Sequence, residues 1–265
     1  MGLRQRRNQG PEFYALVQEF FDACQDAYGR NVLIQFEDFG NTTAFHLLEH
    51  HQPTACTFND DIQGTASVVL GGIISSLKLA KKARVADHRF LFHGAGEAGV
   101  GIANLISSAI QKETGCTIEE SRKNIWLVDS KGLIHSARGD VLAHHKLPYA
   151  HVLPESAASV ARTSDELLDA VNITLPTALI GVSGTPQSFT QEVCKRVAAL
   201  NESPLVFALS NPTSMAECTA QQAYEYTDGR CIFASGSPFD PVTLPDGRHY
   251  VPGQGNNAVM INYII

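Results

Sequence analysis

The stretch Phe90-Leu-Phe-His-Gly-Ala-Gly-Glu-Ala-Gly99 decides the fold. Three apolar or aromatic residues form a short β-type run, and a Gly-x-Gly-x-x-Gly turn follows them at once. A helical pattern then runs from 97 to 112. That order matters, because a glycine triplet by itself is a weak signal; it becomes informative where a strand feeds it and a helix leaves it. Gly94 permits the tight turn, Gly96 lets a pyrophosphate approach the backbone, and Gly99 lets helix and strand come close. The helix start presents unpaired amides, aided at this turn by Glu97 and Ala98, so phosphate is the ligand it suits.

Downstream the pattern repeats. Ile125–Val128, Ala178–Val182, Leu205–Leu209 and Cys231–Ala234 are short apolar runs. Helical patterns near 190–200 and 219–227 separate some of them, and Thr163 with Glu166 predicts a capping box opening a helix through Val171. Buried strands alternating with helices predict an α/β fold with a doubly wound, Rossmann-type parallel sheet. The segment from Gly132 to about Ser159 is His-rich and carries no clear periodicity.

Upstream, apolar residues at helical spacing after Pro11 predict a helix over 12–28 stopped by Gly29. A strand over Val32–Phe36 and a helix from Asn41 or Thr42 to about His51 follow. The run from Thr65 to Lys82 reads as an apolar helix whose Gly71-Gly72 pair packs closely on a neighbour. The predicted division is a partial substrate and metal domain over 1–60, a dinucleotide-binding domain over 61–256 and an atypical tail over 257–265.

Composition sets outer limits. The chain has 265 residues, 44% hydrophobic and 18% charged, so it can bury a core of ordinary size. A net charge of −7 excludes the Lys/Arg surplus of a nucleic-acid binder. No run of about 18 apolar residues predicts a membrane span. The six scattered cysteines lack metal-type spacing and read as reduced thiols of a soluble intracellular protein. His50-His51 and His144-His145 have no zinc-type company and read as exposed polar residues.

Asp129 ends the strand after the glycine turn and is placed to accept the adenosine ribose hydroxyls, which favours NAD. Ser130, Lys131 and Lys146 offer a hydroxyl and two ammoniums that could hold a 2′-phosphate and so favour NADP, although exposed lysines are usually just solvated; residue types alone leave both open. Glu37-Asp38 at a strand end and Asp60-Asp61 before Ile62-Gln63-Gly64 are hard oxygen donors suited to Mg²⁺ or Mn²⁺. Helix caps and surface carboxylates account for the same spacing.

Taken together, Phe36-Glu-Asp-Phe39, Thr57-Phe-Asn-Asp-Asp-Ile-Gln-Gly-Thr65, Gly94–Gly99, Trp126-Leu-Val-Asp-Ser-Lys-Gly132, Phe207-Ala-Leu-Ser-Asn-Pro-Thr213, Phe233-Ala-Ser-Gly-Ser-Pro-Phe239 and Pro252-Gly-Gln-Gly-Asn-Asn257 resemble the malic enzyme family. The resemblance implies oxidative decarboxylation of L-malate to pyruvate and CO₂ with NADP or NAD and a divalent metal. It implies Glu37, Asp38 and Asp61 as metal ligands, Asp60 beside a catalytic lysine, and Asn211, Asn256 and Asn257 against substrate and nicotinamide. Lys146 stands where NADP-using members carry lysine, which turns the cofactor expectation to NADP. A homo-oligomer, dimer or tetramer, is implied for a full-length protein, in the cytoplasm or else in mitochondrion or plastid.

Family members begin well upstream of Met1, and the tyrosine acid and lysine base of the reaction fall there, so neither has a counterpart in this chain. The ending Ala258–Ile265 also departs from the family's continuation and reads as a truncated or alternatively spliced product, or as a faulty gene model. A non-catalytic module that keeps nucleotide or metal affinity is therefore the alternative function. Another dehydrogenase type would share the glycine turn but leave the Asn-Asp-Asp motif unexplained.

Overall fold

The computed structural model describes residues 4–138, 142–159 and 163–255. The chain divides into two compact units after Gln63.

Among its described residues the first unit holds two α-helices and two short strands, followed by the π-helical turn Asp60–Gly64. Helix α1 (Pro11–Tyr28) starts on a proline, whose missing N–H is one the first helical turn leaves unpaired in any case, and ends at Gly29 with φ +85°. Strand β1 (Ile34–Phe36) leads to α2 (Asn41–His51), and β2 (Thr57–Asn59) pairs with β1 in parallel, setting Phe36 opposite Asn59. Phe21, Ile34, Phe36 and Leu47 form its small core. His51 is not the exposed residue expected: it is buried and stacked on Phe21 with ring centroids 3.9 Å apart. Burial accordingly holds its imidazole below the usual histidine range.

The second unit is the doubly wound sheet. In chain order it contains α3 (Thr65–Ser76), β3 (Phe90–His93), α4 (Glu97–Thr114), α5 (Ile118–Arg122), β4 (Ile125–Asp129), β5 (Gly132–Leu133), α6 (Glu166–Thr174), β6 (Ala178–Gly181), α7 (Gln191–Leu200), β7 (Leu205–Ala208), α8 (Ala220–Tyr226), β8 (Ile232–Ser235), a small hairpin of β9 (Val242–Thr243) and β10 (His249–Tyr250), and β11 (Gly253–Gln254). The sheet order is β11-β8-β7-β6-β3-β4-β5, parallel except for the β4–β5 edge. Phe90, Leu91, Phe92, Ile125, Leu127, Leu179 and Ile180 are all fully buried, as strands covered on both faces must be. Leu91, Leu179 and Val206 share one cluster with residues of α6, α7 and α8. The same connectivity places the strand-order reversal beside β3, between β4 and β6.

Three local expectations change. The apolar helix ends at Ser76 instead of Lys82: Leu77 N–H bonds three residues back to the Ile74 carbonyl, and Lys81 turns into the left-handed region at φ +54°. Of the glycine pair, only Gly72 borders a neighbour, the Phe207 ring; a Cβ at Gly71 would meet nothing within 4 Å. Helix α6 is capped by Asp165, whose carboxylate accepts the N–H groups of Leu167 and Leu168, while the Thr163 hydroxyl receives Asp165 N–H.

Candidate functional site

The glycine turn is built around two close approaches. Gly94 sits at φ +120°, and a Cβ there would lie 2.6 Å from the Val182 carbonyl oxygen. A Cβ on Gly99 would lie 2.2 Å from the Gly94 carbonyl oxygen. Only glycine meets both demands, so β3 and α4 come together through a bare backbone. Gly96 is the N-cap of α4, and no side chain caps that first turn. Glu97 and Ala98 begin the helix, half-buried. This bare, positively polarised helix start fits a pyrophosphate.

At the end of β4 the structure gathers charges that lie far apart in the chain. Arg138 grips Asp129 with both guanidinium nitrogens, at 2.8 and 3.2 Å. Lys146 Nζ donates to the same carboxylate at 2.8 Å, and the Lys131 backbone N–H at 3.0 Å. Burial alone would raise the Asp129 pKa, but the Arg138 and Lys146 hydrogen bonds outweigh it and hold the carboxyl below its usual range. Ser130 and the Lys131 side chain stand exposed beside this cluster. Sequence reasoning missed Arg138; its only signal was an arginine nine residues beyond the acidic strand end.

Lys146 arrives there because its loop is pinned. Residues His144–Tyr149 form a 3-10 turn whose Tyr149 is fully buried and donates to Asn104 Oδ1 on α4 at 2.7 Å. The next anchor is His151, whose Nε2 lies 2.8 Å from the Ile125 carbonyl oxygen. His145 hydrogen-bonds the backbone of Ala95, so the His-rich segment reaches the glycine turn itself. Asn211 follows β7, and its Oδ1 accepts the Ser237 hydroxyl at 2.7 Å. Asn256 and Asn257 lie outside the described residues.

The first unit holds the carboxylates Glu37, Asp38, Asp60 and Asp61. Strand β1 ends at Phe36, and Asp38 then adopts φ +54°, a strained conformation for a non-glycine residue and one often kept at functional sites. That turn breaks the alternation which would otherwise aim Glu37 and Asp38 to opposite faces. Asp38 N–H donates to Asp61 Oδ2 at 2.8 Å, its carbonyl accepts from Arg7 at 3.1 Å, and Gln35 donates to Glu37. Burial first, and then the charges of Asp60, Asp61 and Asp38, push the Glu37 carboxyl up. Asp60 is buried in the turn that follows β2. The donor chemistry suits a hard divalent cation, yet among the described residues no three His, Cys, Asp or Glu side chains are already arranged as a metal cage. Asp61 engages the Asp38 amide through Oδ2 alone, which leaves Oδ1 for an ion.

Residues 62–262 match the malic enzyme NAD binding domain, and residues 1–52 match the malic enzyme N-terminal domain. The chain belongs to the malic enzyme family. It is 55% identical over 258 residues to a chloroplastic NADP-dependent malic enzyme of Flaveria trinervia, covering 97% of this chain and 38% of that protein. NADP-dependent malic enzyme 2 of Arabidopsis thaliana is also 55% identical, with 42% of its length covered. The chain thus spans about two fifths of the curated relatives it matches. A malic enzyme crystal structure from Entamoeba histolytica superposes with a TM-score of 0.70 at 27% identity, over 98% of this chain and 47% of that one. Among the described residues, no helix of this malic enzyme family member is long and apolar enough to cross a membrane.

Proposed function

We propose that this chain supplies the cofactor-binding unit and the carboxylate shelf of a malic enzyme that converts L-malate to pyruvate and CO₂ with NADP. The observation that carries the cofactor choice is the Arg138–Asp129–Lys146 cluster. An NAD site needs Asp129 oxygens free to accept ribose hydroxyls, whereas here two cations and a backbone N–H already occupy them. One carboxylate against two cations leaves a net positive group at the end of β4, with Ser130 and Lys131 beside it. A 2′-phosphate suits that charge, and the NADP-dependent relatives support the same reading.

Glu37, Asp38 and Asp61 would hold Mg²⁺ or Mn²⁺, with Asp60 alongside. A cation held there supplies Lewis acidity toward the oxygens of malate C1 and C2. Bound NADP would supply the hydride acceptor for malate C2. The chain's own part is orientation: the α4 start and the glycine turn seat the pyrophosphate, the cationic cluster fixes the adenosine end, and Asn211, with Asn256 and Asn257, donates to substrate and nicotinamide. The chloroplastic relative makes a plastid one candidate compartment beside the cytoplasm.

The test is calorimetric titration of NADP⁺ and NAD⁺ into the chain and into Lys146→Gln. A charge-assisted hydrogen bond of about 1.5 to 3 kcal/mol predicts a preference for NADP⁺ that falls about 10- to 100-fold in the variant. Unchanged discrimination would remove Lys146 from phosphate recognition.

A further inference from the structure

Beneath the loops that follow β6 and β7 lies a carboxylate with no part in the reaction proposed above. Glu217, just before α8, is 0% exposed. It accepts the backbone N–H of Ser183 at 3.1 Å on one oxygen and that of Ser210 at 3.3 Å on the other. The Ser210 hydroxyl donates to Oε1, the oxygen that the Ser183 N–H reaches, and the Ser183 hydroxyl lies 3.5 Å from that oxygen. The serines then pass the order outward. Ser210 Oγ accepts Gly184 N–H at 2.9 Å, Ser183 Oγ accepts Thr185 N–H at 3.0 Å, and Ser183 Oγ also stands 3.2 Å from His93 Nδ1 at the end of β3. Space for the carboxylate comes from Gly181, where a Cβ would lie 2.5 Å from Glu217 Cδ. Burial raises the Glu217 pKa against the pull of these donors, so a carboxylate at this place is costly to the fold.

Topology says which loops these are. A dinucleotide straddles the strand-order reversal beside β3, with its adenosine half toward the acidic strand end. That end is Asp129 on β4, so the nicotinamide half extends over β6 and β7, the strands on the other side of β3. The loops there are Val182–Thr185 and Leu209–Asn211, the two that Glu217 joins from below. We propose that Glu217 is a positioning residue for the nicotinamide half of the cofactor, setting the spacing of these two loops and with it the place of Asn211. The proposal rests on the nucleotide-binding reading above.

Calorimetry on the full 265-residue chain separates the two. Each protein is titrated with NADP⁺ and with adenosine 2′,5′-bisphosphate, which fills the adenosine half alone. Glu217→Gln keeps the size of the side chain but offers one acceptor oxygen and turns an NH₂ toward groups that themselves donate. NADP⁺ affinity should fall about 10-fold while the bisphosphate stays within about 2-fold. Equal weakening of both ligands, or no change in either, would overturn the positioning role. If Glu217→Gln does not fold, Ser210→Ala is judged by the same pair of titrations, with selective loss of NADP⁺ affinity expected and non-selective or absent loss overturning the proposal. Failure of the unmodified chain to bind either ligand would overturn the nucleotide reading and this one with it.

Discussion

At Asp129 three forces compete, and the neighbours decide the outcome. The side chain is 11% exposed, Arg138 is 9% exposed and Lys146 20%, so removing the shared anion leaves two poorly solvated cations facing each other. Asp129→Asn should therefore lose about 2 to 3 kcal/mol, or roughly 5 to 10 °C in Tm by calorimetry. A loss below about 0.5 kcal/mol would mean that the cluster is mere surface charge. The pH dependence follows from the lowered pKa. The folded protein binds the proton less readily than the unfolded chain, so this stability is complete above the ordinary value of 3.8 and is lost as pH falls through the folded value. In Asp129→Asn that acid-side decline should flatten. Glu217 has the opposite sign: its raised pKa means stability declines as pH rises from 4.5 through the folded value. Neither residue's setting is legible locally, since Arg138 and Lys146 lie 9 and 17 positions from Asp129, and Ser183 lies 34 from Glu217.

Among the elements, α6 shows how close the sequence can come and still miss. Thr163 and Glu166 have the spacing of a capping box, but Asp165 stands nearer the helix and offers a stronger acceptor to two N–H groups. Asp165→Ala should cost about 1 kcal/mol or more, because it leaves two first-turn donors without their acceptor. Thr163→Ala should cost clearly less, since its hydroxyl serves only the backbone around Asp165. Chemical denaturation of both variants decides, and equal losses would restore Thr163 as the cap. The strands were easier to read, because a parallel strand buried on both faces is a continuous apolar run whatever its neighbours are. Boundaries for β3, β4, β6 and β7 agree to within about a residue for that reason.

For the whole molecule, two predictions concern what the assembled centres do. Mn²⁺ followed by paramagnetic resonance should bind the first unit weakly, because among the described residues no three such side chains are already arranged around an ion, and Asp61→Ala should abolish most of that binding. Equal affinity in the variant would dismiss these carboxylates as the metal site. A polypeptide of these 265 residues should also bind NADP⁺ without turning over malate, since proton transfer by a positioned acid or base contributes about 10²- to 10⁴-fold and neither role is assigned to one of its residues. Purified chain forming NADPH at about 1 s⁻¹ or more, with an inactive Asp61→Ala control, would refute this. The sequence alone determined the doubly wound sheet, the glycine turn and the family, because burial on both faces and the demand for bare backbone are written into residue type at short range. It also set Asp129 at the end of β4. Only the tertiary structure decided that Arg138 and Lys146 would occupy that carboxylate, that Asp38 would turn at positive φ, and that Glu217 would join two loops from below. These depend on separate segments meeting, and Coulomb and hydrogen-bond energies fall off with distance in space, which spacing along the chain does not disclose.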